Sequence, residues 1–134
     1  MNKILLLTCC FLITTSVVLA EDTTTETCAN GSGTVVIGTI TGHKYCRSSQ
    51  RLNFWNAYAW CDGLNRRLVD SSNCACGNIT ADCANNGCPE FKNAAQGWLW
   101  SGVPNNSISG HFIDTLGGYF GVSDYSNPLS ALCY

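Results

Sequence analysis

His43 and His111 are the only histidines, and cysteine is unusually abundant at ten residues, so these two types are where chemistry is sought first. His111 with Asp114 and either Ser109 or Ser123 would supply the base, the orienting carboxylate and the nucleophile of a hydrolase triad. No nucleophile elbow surrounds these serines, and a histidine three residues from an aspartate has ordinary surface explanations. The acids Asp62, Asp70, Asp82, Glu90, Asp114 and Asp124 show no spacing that marks two of them as flanking a glycosidic bond. The residues therefore predict a protein that is not an enzyme and carries no cofactor.

Cys9 and Cys10 lie in the leader described below, which leaves Cys28, Cys46, Cys61, Cys74, Cys76, Cys83, Cys88 and Cys133. An even number in an exported chain implies four disulfides, with roughly a hundred pairings open. Cys74 and Cys76 are too close in sequence to bond each other, because the required Cα separation and dihedral are hard to reach across one residue. Cys74, Cys76, Cys83 and Cys88 could instead hold a tetrahedral zinc, but their spacing fits no common ribbon or finger. Oxidised pairs and no metal are expected. Such bridges would lock the segment 70–93, whose Asn, Gly, Ala and Ser offer little apolar surface to bury.

The elements that must carry these residues follow from pattern. Residues 1–20 combine an early Lys3, an uncharged run from Ile4 to Leu19 and small residues before Glu21, which is the form of a secretory signal peptide. Residues 21–27 are acidic and threonine-rich and read as a flexible leader. Residues 28–134 then make one domain. Without Lys3, six basic residues face nine acidic ones with no run of either sign, which excludes a nucleic-acid or anionic-membrane surface. The protein should be secreted or held at a cell surface, extracellular or periplasmic, with no membrane span after processing.

A helix is predicted over about residues 54–65. Ala57, Cys61, Leu64 and Leu68 recur at helical spacing, Asn53 is a suitable N-cap, and Asn65 can close the helix in a left-handed conformation. Strands are predicted at Thr34–Ile40, Tyr45–Ser48, Gly97–Gly102 and Ala131–Tyr134, with a hairpin formed by Ile108–Asp114 and Gly118–Ser123. One main helix, short antiparallel strands and a long cysteine-rich loop make an α+β fold stapled by disulfides.

Phe54, Ala57, Cys61 and Leu68, then Trp98-Leu99-Trp100-Ser101, then Ala131-Leu132-Cys133-Tyr134 resemble the first helix, central strand and last strand of a C-type lectin-like domain of the short bacterial type. The resemblance implies a bridge from Cys61 to Cys133, and pairs Cys28 with Cys46 as in longer members. Sugar-binding members hold calcium through Glu-Pro-Asn or Gln-Pro-Asp and a later Trp-Asn-Asp. Here the counterpart is Val103-Pro104-Asn105, and valine offers no side-chain oxygen, so calcium-dependent sugar binding is not carried over.

What remains is recognition. Trp55, Tyr58 and Trp60 cannot all face the core together with Cys61, so one or more should lie at the surface. The Asn-rich loop 103–110 and its surroundings nominate Trp100, Asn105, Asn106, Tyr119, Tyr125 and Asn127 as binding residues, because loops on a rigid scaffold commonly carry recognition. Asn30, Asn78 and Asn105 open glycosylation triplets. The expectation is a carbohydrate- or protein-binding module whose partner is a surface glycan or protein. The alternative is an extracellular structural or adhesive subunit that self-assembles, and a hydrolase is a distant third.

Overall fold

The structure is a computed structural model that describes residues 26–29, 31–74, 88–92, 97–117 and 119–134. The expected signal peptide, residues 21–25 of the leader, Cys76, Cys83 and Gly118 lie outside these residues. In chain order the elements are β1 (Gly33–Ile37), β2 (Lys44–Leu52), α1 (Phe54–Gly63), β3 (Trp98–Pro104), β4 (Ser109–Asp114), β5 (Tyr119–Asp124) and β6 (Leu129–Cys133). Short 3-10 turns occupy Ser71–Cys74 and Pro89–Phe91.

The six strands form one sheet in the order β1-β2-β6-β3-β4-β5. This corrects the α+β, C-type lectin-like expectation. The fold is sheet-rich, and its sheet is mixed because β3 runs parallel to β6 at Leu99 and Ser130. The helix spans only ten residues, since Gly63 lowers helical preference and Asn65 takes φ 56 just beyond the end. Strand β2 runs on to Leu52 past the predicted Ser48. Two extra residues in β2 shift its register against β6 between Arg47 and Arg51, and the Ser48 hydroxyl accepts from the Ala131 amide there at 3.0 Å. Beyond their single pairing β3 and β6 diverge, and residues 68–69 fill the gap. The Val69 amide donates to Leu132 and the Gly102 amide donates to Val69. A Cβ on Gly102 would sit 3.1 Å from the Leu68 carbonyl oxygen, so a glycine lets this wedge approach closely.

The two faces of the sheet carry separate cores. On one, α1 packs Phe54, Ala57 and Cys61 against Trp100, Phe112, Leu129 and Ala131, and Cys61 is bonded to Cys133 in β6. The alternation of β3 places both Trp98 and Trp100 on this face. On the other, Leu99, Ile113 and Leu132 meet Tyr45, Val69, Phe91 and the Cys74–Cys88 bridge of the cysteine-rich segment. A third disulfide joins Cys28 to Cys46. Three bridges among the described residues accord with an extracellular or otherwise oxidising environment. Among the described residues no helix is long and apolar enough to cross a membrane.

Candidate functional site

The helix-side face ends at the β3–β4 and β5–β6 loops, and the start of α1 is tied directly to them. Asn53 caps the helix by accepting from the Asn56 amide at 2.8 Å, and the Phe54 amide donates to the Tyr125 carbonyl at 3.0 Å. Phe54 points inward against Trp100 and Tyr125 with ring centroids 5.3 and 4.6 Å away. Its neighbour Trp55 points outward, 58 % exposed, and leans on the Tyr125 ring at 5.2 Å. Tyr58, one turn further along the helix, is 50 % exposed. Trp60 is half-buried and donates through Nε1 to the Ser32 hydroxyl at 2.7 Å. The helix therefore offers solvent two aromatic residues at i and i+3, on one surface.

Tyr125 links that aromatic pair to the amide loops. Its hydroxyl donates to the Asn106 carbonyl at 2.7 Å, and its amide donates to Ile108. Each asparagine spends half of its side-chain amide on the loop. Asn106 Oδ1 accepts from the Ile108 and Ser109 amides, Asn105 Nδ2 donates to the Ser109 hydroxyl, and Asn127 Nδ2 donates to the Ser123 hydroxyl. Asn105 Oδ1, Asn106 Nδ2 and Asn127 Oδ1 make no hydrogen bond among the described residues and belong to exposed side chains. The nearby Asp124 carboxyl is lowered by the backbone amide and then the hydroxyl of Ser126, which both donate to it. The result is a fixed rim of mixed donors and acceptors beside an aromatic surface.

The structure gathers four of the six nominated residues here, namely Asn105, Asn106, Tyr125 and Asn127. Trp100 is fully buried, with its Nε1 donating to the Leu52 carbonyl, and belongs to the core. Tyr119 lies at the opposite end of β5, about 17 Å away at strand spacing. There it meets the edge of Phe112, on which the half-exposed Trp98 stacks at 5.1 Å. The exposure of Trp55 and Tyr58 was signalled by the surplus of aromatics on one short helix. That of Trp98 was not, because β3 alternation groups it with Trp100.

His111 and Asp114 are not brought together. They are three residues apart on one strand and so face opposite sides of the sheet. Both Asp114 oxygens are already engaged, Oδ2 by Trp98 Nε1 at 2.9 Å and Oδ1 by the Leu116 and Gly117 amides. Among the described residues no three His, Cys, Asp or Glu side chains converge to hold a metal ion.

The cysteine-side face has a cleft of about 320 Å³ between Thr41, His43, Tyr45, Ser72, Asn73 and Tyr134. Among the described residues its His43 Nε2 is buried without a hydrogen-bond partner, whereas Thr41 and Tyr45 turn their hydroxyls inward to Glu90. Glu90, fully buried, accepts from the Ile40 and Thr41 amides at 2.8 and 3.0 Å, from the Thr41 hydroxyl, and from the Tyr45 hydroxyl at 3.1 Å. Burial pushes the Glu90 carboxyl up, but these donors outweigh it and hold it below its ordinary 4.5. Burial, and then the Glu90 charge, push the Tyr45 hydroxyl well above its ordinary 10.0. Tyr134 is covered on its two faces, by the stacked His43 ring at 4.4 Å and by the Arg67 guanidinium at 4.7 Å. No sequence pattern marked Glu90 for this role, since its partners lie some fifty residues away in the chain.

No protein-family model matches the chain, and no curated protein matches it.

Proposed function

We propose that the protein is a secreted, non-catalytic recognition module that binds a surface glycan, without calcium, at the end of the sheet where Trp55 and Tyr58 flank the Asn105–Asn106 and Asn127 loops. The observation that carries this reading is Trp55, an indole 58 % exposed yet braced by Tyr125, which is itself bonded to Asn106. A rigid exposed aromatic stacks on the apolar face of a sugar ring at little cost in side-chain entropy. The unspent halves of the three asparagines supply one donor and two acceptors, which suits hydroxyl groups that both give and receive. The aromatic and asparagine residues named in this cluster are uncharged, which favours an uncharged glycan over a sulfated or phosphorylated one.

A glycan array run on the oxidised protein with and without chelator tests this directly. The expected result is binding to neutral glycans that survives chelation and disappears in Trp55→Ala. Binding abolished by chelator, or a blank array alongside capture of a protein ligand through the same residues, would replace the reading.

A further inference from the structure

The two edges of the sheet are treated differently by the chain. At the β1 edge, Thr27 bridges Thr34, the Val35 amide donates to Glu26 at 2.8 Å and the Cys28 amide donates to Gly33 at 3.0 Å. The Cys28–Cys46 disulfide pins that cover in place. At the other edge, β5 pairs with β4 through six consecutive residues without a register shift, and no described segment pairs with its outer side. Its sequence, Tyr-Phe-Gly-Val-Ser-Asp, contains no lysine or proline, and it has no bulge, the usual protections of an open edge. Tyr119 and Val122 are 44 % and 50 % exposed along it.

We infer that β5 is a homodimerisation edge, joining a second copy of this chain in an antiparallel, two-fold arrangement centred on Gly121. This goes beyond the glycan reading and does not depend on it. Side chains directly opposite one another in a sheet share a face, so the two-fold register sets Tyr119 against the partner's Ser123, Phe120 against the partner's Val122, and Gly121 against the partner's Gly121. Phe120 and Val122 then form two apolar cross-strand pairs on the cysteine side. No charged residue falls inside the overlap, because Asp124 lies just beyond it. Gly121 is required here, since a Cβ would fall 2.5 Å from the Phe112 ring that lies over it.

The occupied β1 edge decides for a second copy meeting β5 with β5. A head-to-tail chain would need a free β1, whereas an isologous pair uses twice the edge that is open among the described residues, and closes. Both helices then lie on the same side of a continuous twelve-stranded sheet, with the two Trp55 sites pointing to opposite ends.

Sedimentation of the oxidised wild-type protein over a concentration series up to about 1 mM should reveal a monomer–dimer equilibrium. Val122→Lys, a change at a half-exposed position, should weaken the dimer about tenfold or more by setting like charges diagonally across the axis, and Val122→Glu should do the same. Mixing the two variants should restore the dimer. Hydrogen exchange of the wild type, which needs no variant, should show β5 amides gaining protection as concentration rises. A protein that stays monomeric throughout, a dimer indifferent to both charges and to their mixing, or a dimer with unprotected β5 amides would each overturn the inference.

Discussion

The two faces of one sheet are held by different physics. On the helix side, Phe54, Trp100, Phe112 and Leu129 form a packed apolar core under a regular element, with the Cys61–Cys133 bridge anchoring α1 to β6 and the Cys28–Cys46 bridge in the same core. On the cysteine side, short 3-10 turns bring Phe91 to a second apolar core with Tyr45, Val69, Leu99, Ile113 and Leu132, and the Cys74–Cys88 bridge and the hydrogen bonds converging on the buried Glu90 also hold the chain. Packing is tolerant of chemistry but sensitive to volume. A buried, hydrogen-bonded carboxylate such as Glu90 is sensitive to pH instead. A sheet sandwiched between the two should therefore fail differently depending on which face is challenged.

The largest expected effect is on the packed side. Phe54→Ala removes a buried ring that touches Trp100 and Tyr125, and the rigid glycine floor at Gly110 cannot rise to fill the space. The cost should be about 3–5 kcal/mol by denaturant unfolding. The same variant removes a ring that supports Tyr125. Replacing both Cys74 and Cys88 by alanine should cost about 3 kcal/mol, because the bridge closes a short loop, 14 residues apart in sequence. Its signature is local. Amides of residues 38–43 and 69–74 should lose hydrogen-exchange protection while those of α1 keep theirs, and equal loss on both faces would erase the distinction drawn between them.

Glu90 separates the faces by pH. Its donors hold it below 4.5, so the folded state binds its proton less readily than the unfolded chain does. The stabilisation is complete above that ordinary value and is lost as pH falls through the lower folded one. Glu90→Gln should cost about 2 kcal/mol at neutral pH, since its amide nitrogen would face the donors that the carboxylate accepts from. It should also flatten the acid limb of the stability profile. An unchanged acid limb in Glu90→Gln would assign that limb to other carboxyl groups.

These cases also explain which parts of the molecule were legible in the sequence. Asn53, Phe54, Ala57 and Cys61 announce the helix because capping and helical periodicity are local. The β4–β5 hairpin was legible for the same reason, with its strand ends at Asp114 and Tyr119 fixed by a tight turn. The sheet as a whole was not. Ser49, Gln50 and Arg51 carry no apolar alternation, yet they extend β2 around an irregularity that only β6, eighty residues away, requires. The parallel contact of Leu99 with Ser130 likewise leaves no trace in either segment. Loop composition nominated Asn105, Asn106, Tyr125 and Asn127, and the structure brings these four to one end of the sheet. Trp100 and Tyr119 were misplaced because residue type says nothing about how far a ten-residue helix extends over the sheet. The role of Glu90 was missed because its partners, two backbone amides and the Thr41 and Tyr45 hydroxyls, lie some fifty residues away in the chain and no local pattern displays them.

The smallest stability effect, and the one that bears most on function, belongs to Trp55. More than half of its surface already faces solvent, so Trp55→Ala should change unfolding free energy by no more than about 0.5 kcal/mol. Phe54, the adjacent residue, carries the opposite expectation. If Trp55 were a core residue that merely grazes the surface, its loss would approach the cost of Phe54→Ala, and its removal would disturb Tyr125 and the Asn106 loop. A protein that keeps its stability and its Tyr125–Asn106 hydrogen bond but no longer binds glycan would show that this indole is held in place for a ligand. Loss of stability together with binding would make Trp55 part of the packing, and the recognition surface would have to be sought at the other end of β5, around Trp98 and Tyr119.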